Sequence, residues 1–165
     1  ALFQVLRETA ITTAKLFFIL FGALIFSNFV NRAGLPDGLI GIVNAFDLSP
    51  LGVIFIILLI YVVLGCVFES LSMILLTVPI FAPLVASLGF DLIWFGILVV
   101  VVTGISLITP PIGLNVFVLK GVLKDVAVGT IFKGVTPFWV ADIFRLLLLA
   151  GVPSIALFLP SMMMD

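Results

Sequence analysis

Histidine is missing from this 165-residue chain, and cysteine occurs once. Without imidazole there is no Ser–His–Asp triad and no histidine metal site. A lone thiol closes no internal disulfide, and Cys66 sits in an apolar run, where a small packing role suits it. Charge is scarce as well: only 9% of residues are Asp, Glu, Lys or Arg, and the net charge is −1, against about 25% charged residues in soluble domains. No basic face exists to attract nucleic acid, so none is expected as a partner. Paired intramembrane aspartates and a zinc-binding HExxH are also missing, which leaves an intramembrane protease without its chemistry. No enzyme is expected, and no cofactor.

What the chain has in quantity is apolar sequence. It is 64% hydrophobic with a mean hydropathy of +1.54. The runs "LGVIFIILLIYVVLGCVF" (51–68) and "IWFGILVVVVTGISLI" (93–108) carry no charge at all. These features predict an all-α integral membrane protein in contact with the lipid bilayer. The chain opens on "ALFQVLRETA" without methionine or a signal-peptide pattern, and is expected to be the C-terminal portion of a longer protein.

A single membrane domain fragment is predicted over 1–165, in five parts. A transmembrane helix covers about 10–30, and a surface arm with a short amphipathic helix covers 31–50. The 51–88 stretch exceeds one crossing and is split by the polar cluster "GCVFESLS" (65–72). Each arm is about 15 residues, or about 22 Å of helix, short of a ~30 Å hydrocarbon core. A re-entrant helical hairpin fits that length, and a full helix followed by a loop is the other reading. Residues 92–120 form a helix broken at "SLITPPIGLN" (106–115), and 137–160 form a final transmembrane helix. The lysines of "KGVLKDVAVGTIFKGVTP" (120–137) orient that loop to the cytoplasm. Asp142 and Arg145 are spaced to pair, Asp91 is a helix N-cap, and Trp94 and Trp139 are expected as interface anchors.

Breaking a helix inside lipid costs several kcal/mol for each unpaired backbone group, so such breaks persist where they line a site. Half-helix N-termini attract anions, and unwound carbonyls coordinate Na⁺ or H⁺. At the second break Thr109 offers a hydroxyl, Asn115 an amide, and Gly113 a close backbone approach. Pro110 and Pro111 remove two donors, so carbonyls upstream lose their intrahelical partners. Glu69, flanked by Ser70 and Ser72, is an ionisable residue amid apolar spans and a functional candidate by default. It either binds a cation directly or holds the tip in shape. A kink for packing alone and a solvated tip remain the competing explanations.

Three stretches together resemble the large membrane (permease) subunit of a tripartite ATP-independent periplasmic (TRAP) transporter. They are "GCVFESLSMILLTVPIFAPLVASLGFDLIWFGIL" (65–98), "LITPPIGLNVFVLKGV" (107–122) and "GVTPFWVADIFRLLLLAGVPSIALFLP" (134–160). The resemblance implies the second inverted repeat of an elevator-type transporter, with a hairpin tip at 65–72 and a discontinuous helix interrupted at 109–115. It implies Na⁺-coupled uptake of a carboxylate-bearing solute delivered by a periplasmic substrate-binding protein, with a small TRAP membrane subunit as partner, in the bacterial inner membrane as a multi-pass protein. The ion- or substrate-binding candidates are Gly65, Glu69, Ser70, Ser72, Thr109, Pro110, Gly113 and Asn115, with Ser72, Thr109, Gly113 and Asn115 as Na⁺ candidates. The first and last spans are expected in the static scaffold. Members commonly carry aspartate where this chain has Glu69, and often an acid and a glycine where it has Gly104 and Ser106. Another ion-coupled dicarboxylate or anion permease, or a structural membrane subunit, are the alternatives.

Overall fold

A computed structural model describes residues 2–110 and 112–164, and every regular element among them is an α-helix. Helix α1, Leu2–Arg32, runs 31 residues, about 46 Å at 1.5 Å per residue. It starts well before the expected position near residue 10 because no proline or glycine interrupts the run from Leu2 to Phe21. Ala23 and Val30 are its buried residues, and most of its length is exposed apolar surface. A surface of that kind needs lipid or protein against it.

Gly34, at φ +72°, turns the chain into α2, Leu35–Ala45, with Pro36 in its first turn, where the missing N–H costs nothing. The helix packs on α1 and α4, burying Pro36 and Val43. Helix α3, Pro50–Gly65, starts at a Ser49 cap that accepts the Gly52 amide at 3.2 Å. Helix α4, Ser70–Ser87, carries Pro79 and Pro83 within it. The hydroxyls of Tyr61 on α3 and Thr77 on α4 lie 2.6 Å apart, and Thr77 Oγ1 is 2.7 Å from the Met73 carbonyl. A carbonyl only accepts and Thr77 has one proton, so Tyr61 donates to Thr77. That bond and the Tyr61–Phe81 ring contact, centroids 6.0 Å apart, fasten the two helices to each other.

Helix α5, Leu92–Ser106, begins at Asp91, whose carboxylate accepts the amides of Ile93 at 2.7 Å and Trp94 at 3.1 Å. It is the centre of the molecule. Trp94, Phe95, Leu98, Val102 and Ile105 pack against Ile54, Ile57 and Tyr61 of α3 in one continuous core. Helix α6, Leu114–Val122, is short, and α7, Val128–Gly151, follows a five-residue turn. Lys120 closes that turn, donating to the carbonyls of Lys124 at 2.6 Å and Val126 at 2.8 Å. Much of the expected lysine loop is therefore helical, and Lys133 lies on α7.

The last segment departs from the single 137–160 span. Helix α7 begins nine residues earlier, at Val128, and the chain breaks at Val152 (φ −129°, ψ +78°) before α8, Pro153–Met164. Proline disfavours helical geometry in the residue before it and has no amide to donate, so α7 stops there. In a continuous helix the Leu149 carbonyl would receive the amide of residue 153. Proline has none, and the Trp94 indole N–H takes its place at 2.8 Å. Trp94 is 1% exposed and stacked on Phe90, so it is a core residue and not the expected interface anchor. Asp142 and Arg145 do pair, at 3.0 Å. Among the described residues three helices, α1, α4 and α7, are long and apolar enough to cross a membrane by length and composition.

Candidate functional site

The two polar interruptions meet. Helix α3 ends at Gly65 and α5 ends at Ser106, and the two ends touch. A β-carbon built on Gly65 would lie 2.5 Å from Ser106 Cβ and closer still to its hydroxyl. Only glycine allows the backbones this close. Next to it Cys66, buried, has its Sγ 3.9 Å from the Thr109 carbonyl, a weak S–H donor on an acceptor 43 residues away. Gly65, Cys66, Ser106 and Thr109 thus tie the turn between α3 and α4 to the turn after α5.

Within the first turn Glu69 is the N-cap of α4. One carboxylate oxygen accepts the Leu71 amide at 3.0 Å, and the other accepts the Ser72 amide at 3.0 Å and the Ser72 hydroxyl at 3.1 Å. Both oxygens therefore serve the helix start, as the short polar residues do at most N-caps. Glu69 is exposed, while Ser70 and Ser72 are half-buried. Of the two roles open to Glu69, holding the tip in shape is the one its bonds describe.

The second turn is closed by its own backbone. Pro110 has no amide for the Ser106 carbonyl, which accepts the Thr109 amide at 3.2 Å instead. The Leu107 carbonyl, which a continuous helix would pair with residue 111, accepts the Asn115 amide at 3.1 Å. Both carbonyls lose the partner a continuous helix would give them, as expected, but each finds another amide and retains a second lone pair. Pro111 itself, a residue of the predicted break, lies outside the described residues. Thr109 is buried at 6% exposure, donating its hydroxyl to the Ile105 carbonyl at 2.8 Å and accepting the Trp139 indole N–H at 2.9 Å. Gly113 begins α6 at φ +53°, a left-handed conformation, with its α-carbon face against Phe132. Its carbonyl receives the amides of Val116 and Phe117.

Of the Na⁺ candidates, Thr109 and Gly113 are buried at the second turn, Ser72 is bonded to Glu69, and the Asn115 side chain is exposed on α6. Pro110 is exposed and lines a cleft of about 160 Å³ with Ile108, Phe132, Val135, Thr136 and Trp139. The joining contacts run through Gly65, Cys66, Ser106 and Thr109. Glu69, Ser70 and Ser72 build the tip around them. Cys66, Ser106 and Trp139 stand at the junction but outside the sequence candidates, Cys66 reading as a packing residue and Trp139 as an interface anchor. Gly104 is exposed with open space around its α-carbon.

Two interrupted helices meet at a polar junction in an apolar chain whose described elements are all helices, an arrangement that recurs in membrane transporters. Residues 1–155 match the family described as the Tripartite ATP-independent periplasmic transporter, DctM component, and the chain belongs to that family. It is 32% identical over 159 residues to the sialic acid TRAP transporter large permease protein SiaM of Vibrio cholerae, covering 96% of this chain and 37% of that protein. It is 31% identical over 158 residues to the C4-dicarboxylate TRAP transporter large permease protein DctM of Pseudomonas aeruginosa, again covering 96% and 37%. A third relative is the ectoine/5-hydroxyectoine TRAP transporter large permease protein UehC of Ruegeria pomeroyi, 30% identical over 154 residues, covering 93% of this chain and 36% of the relative. The chain thus spans a little over a third of the length of these permeases.

Proposed function

We propose that this chain is the C-terminal repeat of a Na⁺-coupled permease that takes up a carboxylate-bearing solute across the bacterial inner membrane. The observation that carries the reading is the junction of the two interrupted helices at Gly65–Ser106 and Cys66–Thr109. Two elements that touch at their polar ends are able to share one ion and to respond to it together. Thr109 and the second lone pairs of the Ser106 and Leu107 carbonyls supply hard oxygen ligands suited to Na⁺. Ser72 lends a further oxygen, Gly113, whose carbonyl already receives two amides, contributes its close backbone approach, and Asn115 contributes once the rest of the permease covers it. Glu69 keeps the α4 start formed by taking the Leu71 and Ser72 amides, so a substrate carboxylate is met by other donors of the two turns.

In this reading ion binding orders both turns, substrate binds on the ordered amides, and the loaded bundle moves against a scaffold that includes α1. Helix α7, bonded to the break through Trp139 and Thr109, travels with the bundle, which revises its assignment to the scaffold. A first repeat upstream completes the site, a soluble periplasmic protein delivers the solute, and a small membrane subunit sits beside the scaffold. Sialic acid, C4-dicarboxylates and ectoine, named for three of the relatives, each bear a carboxylate and support that substrate class, whereas isethionate, named for a fourth, carries a sulfonate in its place.

The test is uptake of labelled sialic acid, succinate and ectoine by the full-length permease, reconstituted with its partner subunit and binding protein. An inward Na⁺ gradient should drive accumulation of at least one of them, and Thr109→Val should raise the Na⁺ half-saturation. Uptake indifferent to the gradient, or an unchanged half-saturation in Thr109→Val, would overturn the coupling.

A further inference from the structure

We propose that Trp139 is a positioning residue for the ion-binding hydroxyl of Thr109. The proposal rests on the reading of Thr109 as a Na⁺ ligand and deepens it. A threonine hydroxyl has one proton and two lone pairs, and it rotates freely unless its partners fix it. Here the proton goes to the Ile105 carbonyl at 2.8 Å and one lone pair receives the Trp139 indole N–H at 2.9 Å. A single lone pair remains, and its direction is set by the other two bonds. The oxygen is thereby presented to a cation in one orientation before the ion arrives.

The indole is itself held. Phe132, Val135, Thr136 and Trp139 fall at the spacings that share one helix face. All four line the cleft against Ile108 and Pro110. Phe132 at one end of this stripe meets Gly113, whose added β-carbon would come within 3.2 Å of its ring. The same face of α7 therefore supports both ends of the broken segment, with one hydrogen bond in the stripe aimed at a candidate ligand. Trp139 touches neither ion nor substrate; it acts through Thr109.

The experiment is equilibrium binding of radiolabelled Na⁺ to the purified full-length permease, which needs no knowledge of the solute. Four forms are compared: the natural protein, Trp139→Phe, Thr109→Val and the double variant. A fifth carries β-(3-benzothienyl)alanine at position 139, a tryptophan isostere without the N–H, which separates loss of the donor from loss of packing. Trp139→Phe and the isostere should each raise the half-saturation roughly three- to tenfold, the range expected for one hydrogen bond, with the amount of Na⁺ bound at saturation unchanged. In the Thr109→Val background Trp139→Phe should add nothing further, because the two residues act as one unit. If Thr109→Val leaves no measurable binding, the isostere decides alone. Weakened binding in Thr109→Val with an unchanged or lowered half-saturation in the isostere overturns the role of Trp139 and spares the ion site. Independent, additive effects overturn it also. No Na⁺ binding by the natural protein, or none lost in Thr109→Val, removes the ion site and this role together.

Discussion

Gly65→Ala tests the contact that joins the two halves of the site. The new methyl would sit 2.5 Å from Ser106 Cβ, against a normal carbon–carbon separation of about 3.5–4.0 Å. Relief requires a shift on the order of 1 Å, and both atoms are fixed to helix backbones, so neither rotates away. Overpacking of this kind costs about 1–3 kcal/mol. Ser106→Gly removes the opposing β-carbon and hydroxyl. Alone it loses the Ser106 bond to the Thr103 carbonyl, 2.7 Å long, together with helix propensity at the end of α5, a cost of about 1–2 kcal/mol. If the two changes were independent, the double variant would lose about 2–5 kcal/mol. If the contact is as described, the methyl fills the space that serine vacates and the double variant loses only about 1–2 kcal/mol, a coupling of at least ~1 kcal/mol. The assay is unfolding of the purified full-length permease, followed for the four members of the cycle under one set of detergent conditions. Additive losses, or a Gly65→Ala protein as stable as the natural one, would refute the close approach of α3 and α5.

Three further substitutions probe single bonds. Glu69→Ala removes the cap of α4 and should cost about 1 kcal/mol, up to ~2, with faster hydrogen exchange at the Leu71 and Ser72 amides; Glu69→Asp should keep both protected, and equal protection in all three forms would deny the cap. Tyr61→Phe deletes the donor to Thr77 while leaving Thr77 bonded to Met73, so a loss of about 0.5–1.5 kcal/mol is expected, read from the same unfolding assay. Lys120→Met releases the carbonyls of Lys124 and Val126 and should speed amide exchange across 123–127 while global stability changes little; unaltered exchange there would show the turn to stand without its tether.

Local signals were readable in the sequence because their partners are near in the chain. Asp91 in "LGFDLIW" precedes an apolar run and caps it, and Asp142 and Arg145 meet across three residues. The polar cluster at 65–72 and the proline pair near 110 mark places where the helices do end. The misassigned residues are those whose partners are distant. Trp94 and Trp139 carry an amphipathic signature that suits a membrane surface, yet their N–H groups find acceptors 55 and 30 residues away. No periodicity reports such a pairing. The approach of Gly65 to Ser106 was equally hidden, since a glycine at a helix end is ordinary and only the partner makes it necessary. The final span breaks for a simpler reason: Pro153 has no amide with which to continue α7, although the residues on both sides of it are apolar.

Trp94 and Pro153 lie far apart in sequence and form one device in the fold. Proline at 153 deprives the Leu149 carbonyl of its donor, and the indole supplies another. Each residue makes sense only beside the other. A substitution that restores an amide at position 153 and lets α7 run on makes the indole nitrogen redundant, and phenylalanine at 94 then costs only the packing it gives up. With the proline kept, the same phenylalanine strands a carbonyl in apolar surroundings, a loss of a few kcal/mol. Sequence drift at these positions is therefore ordered: the proline has to go first, and the tryptophan is free to follow.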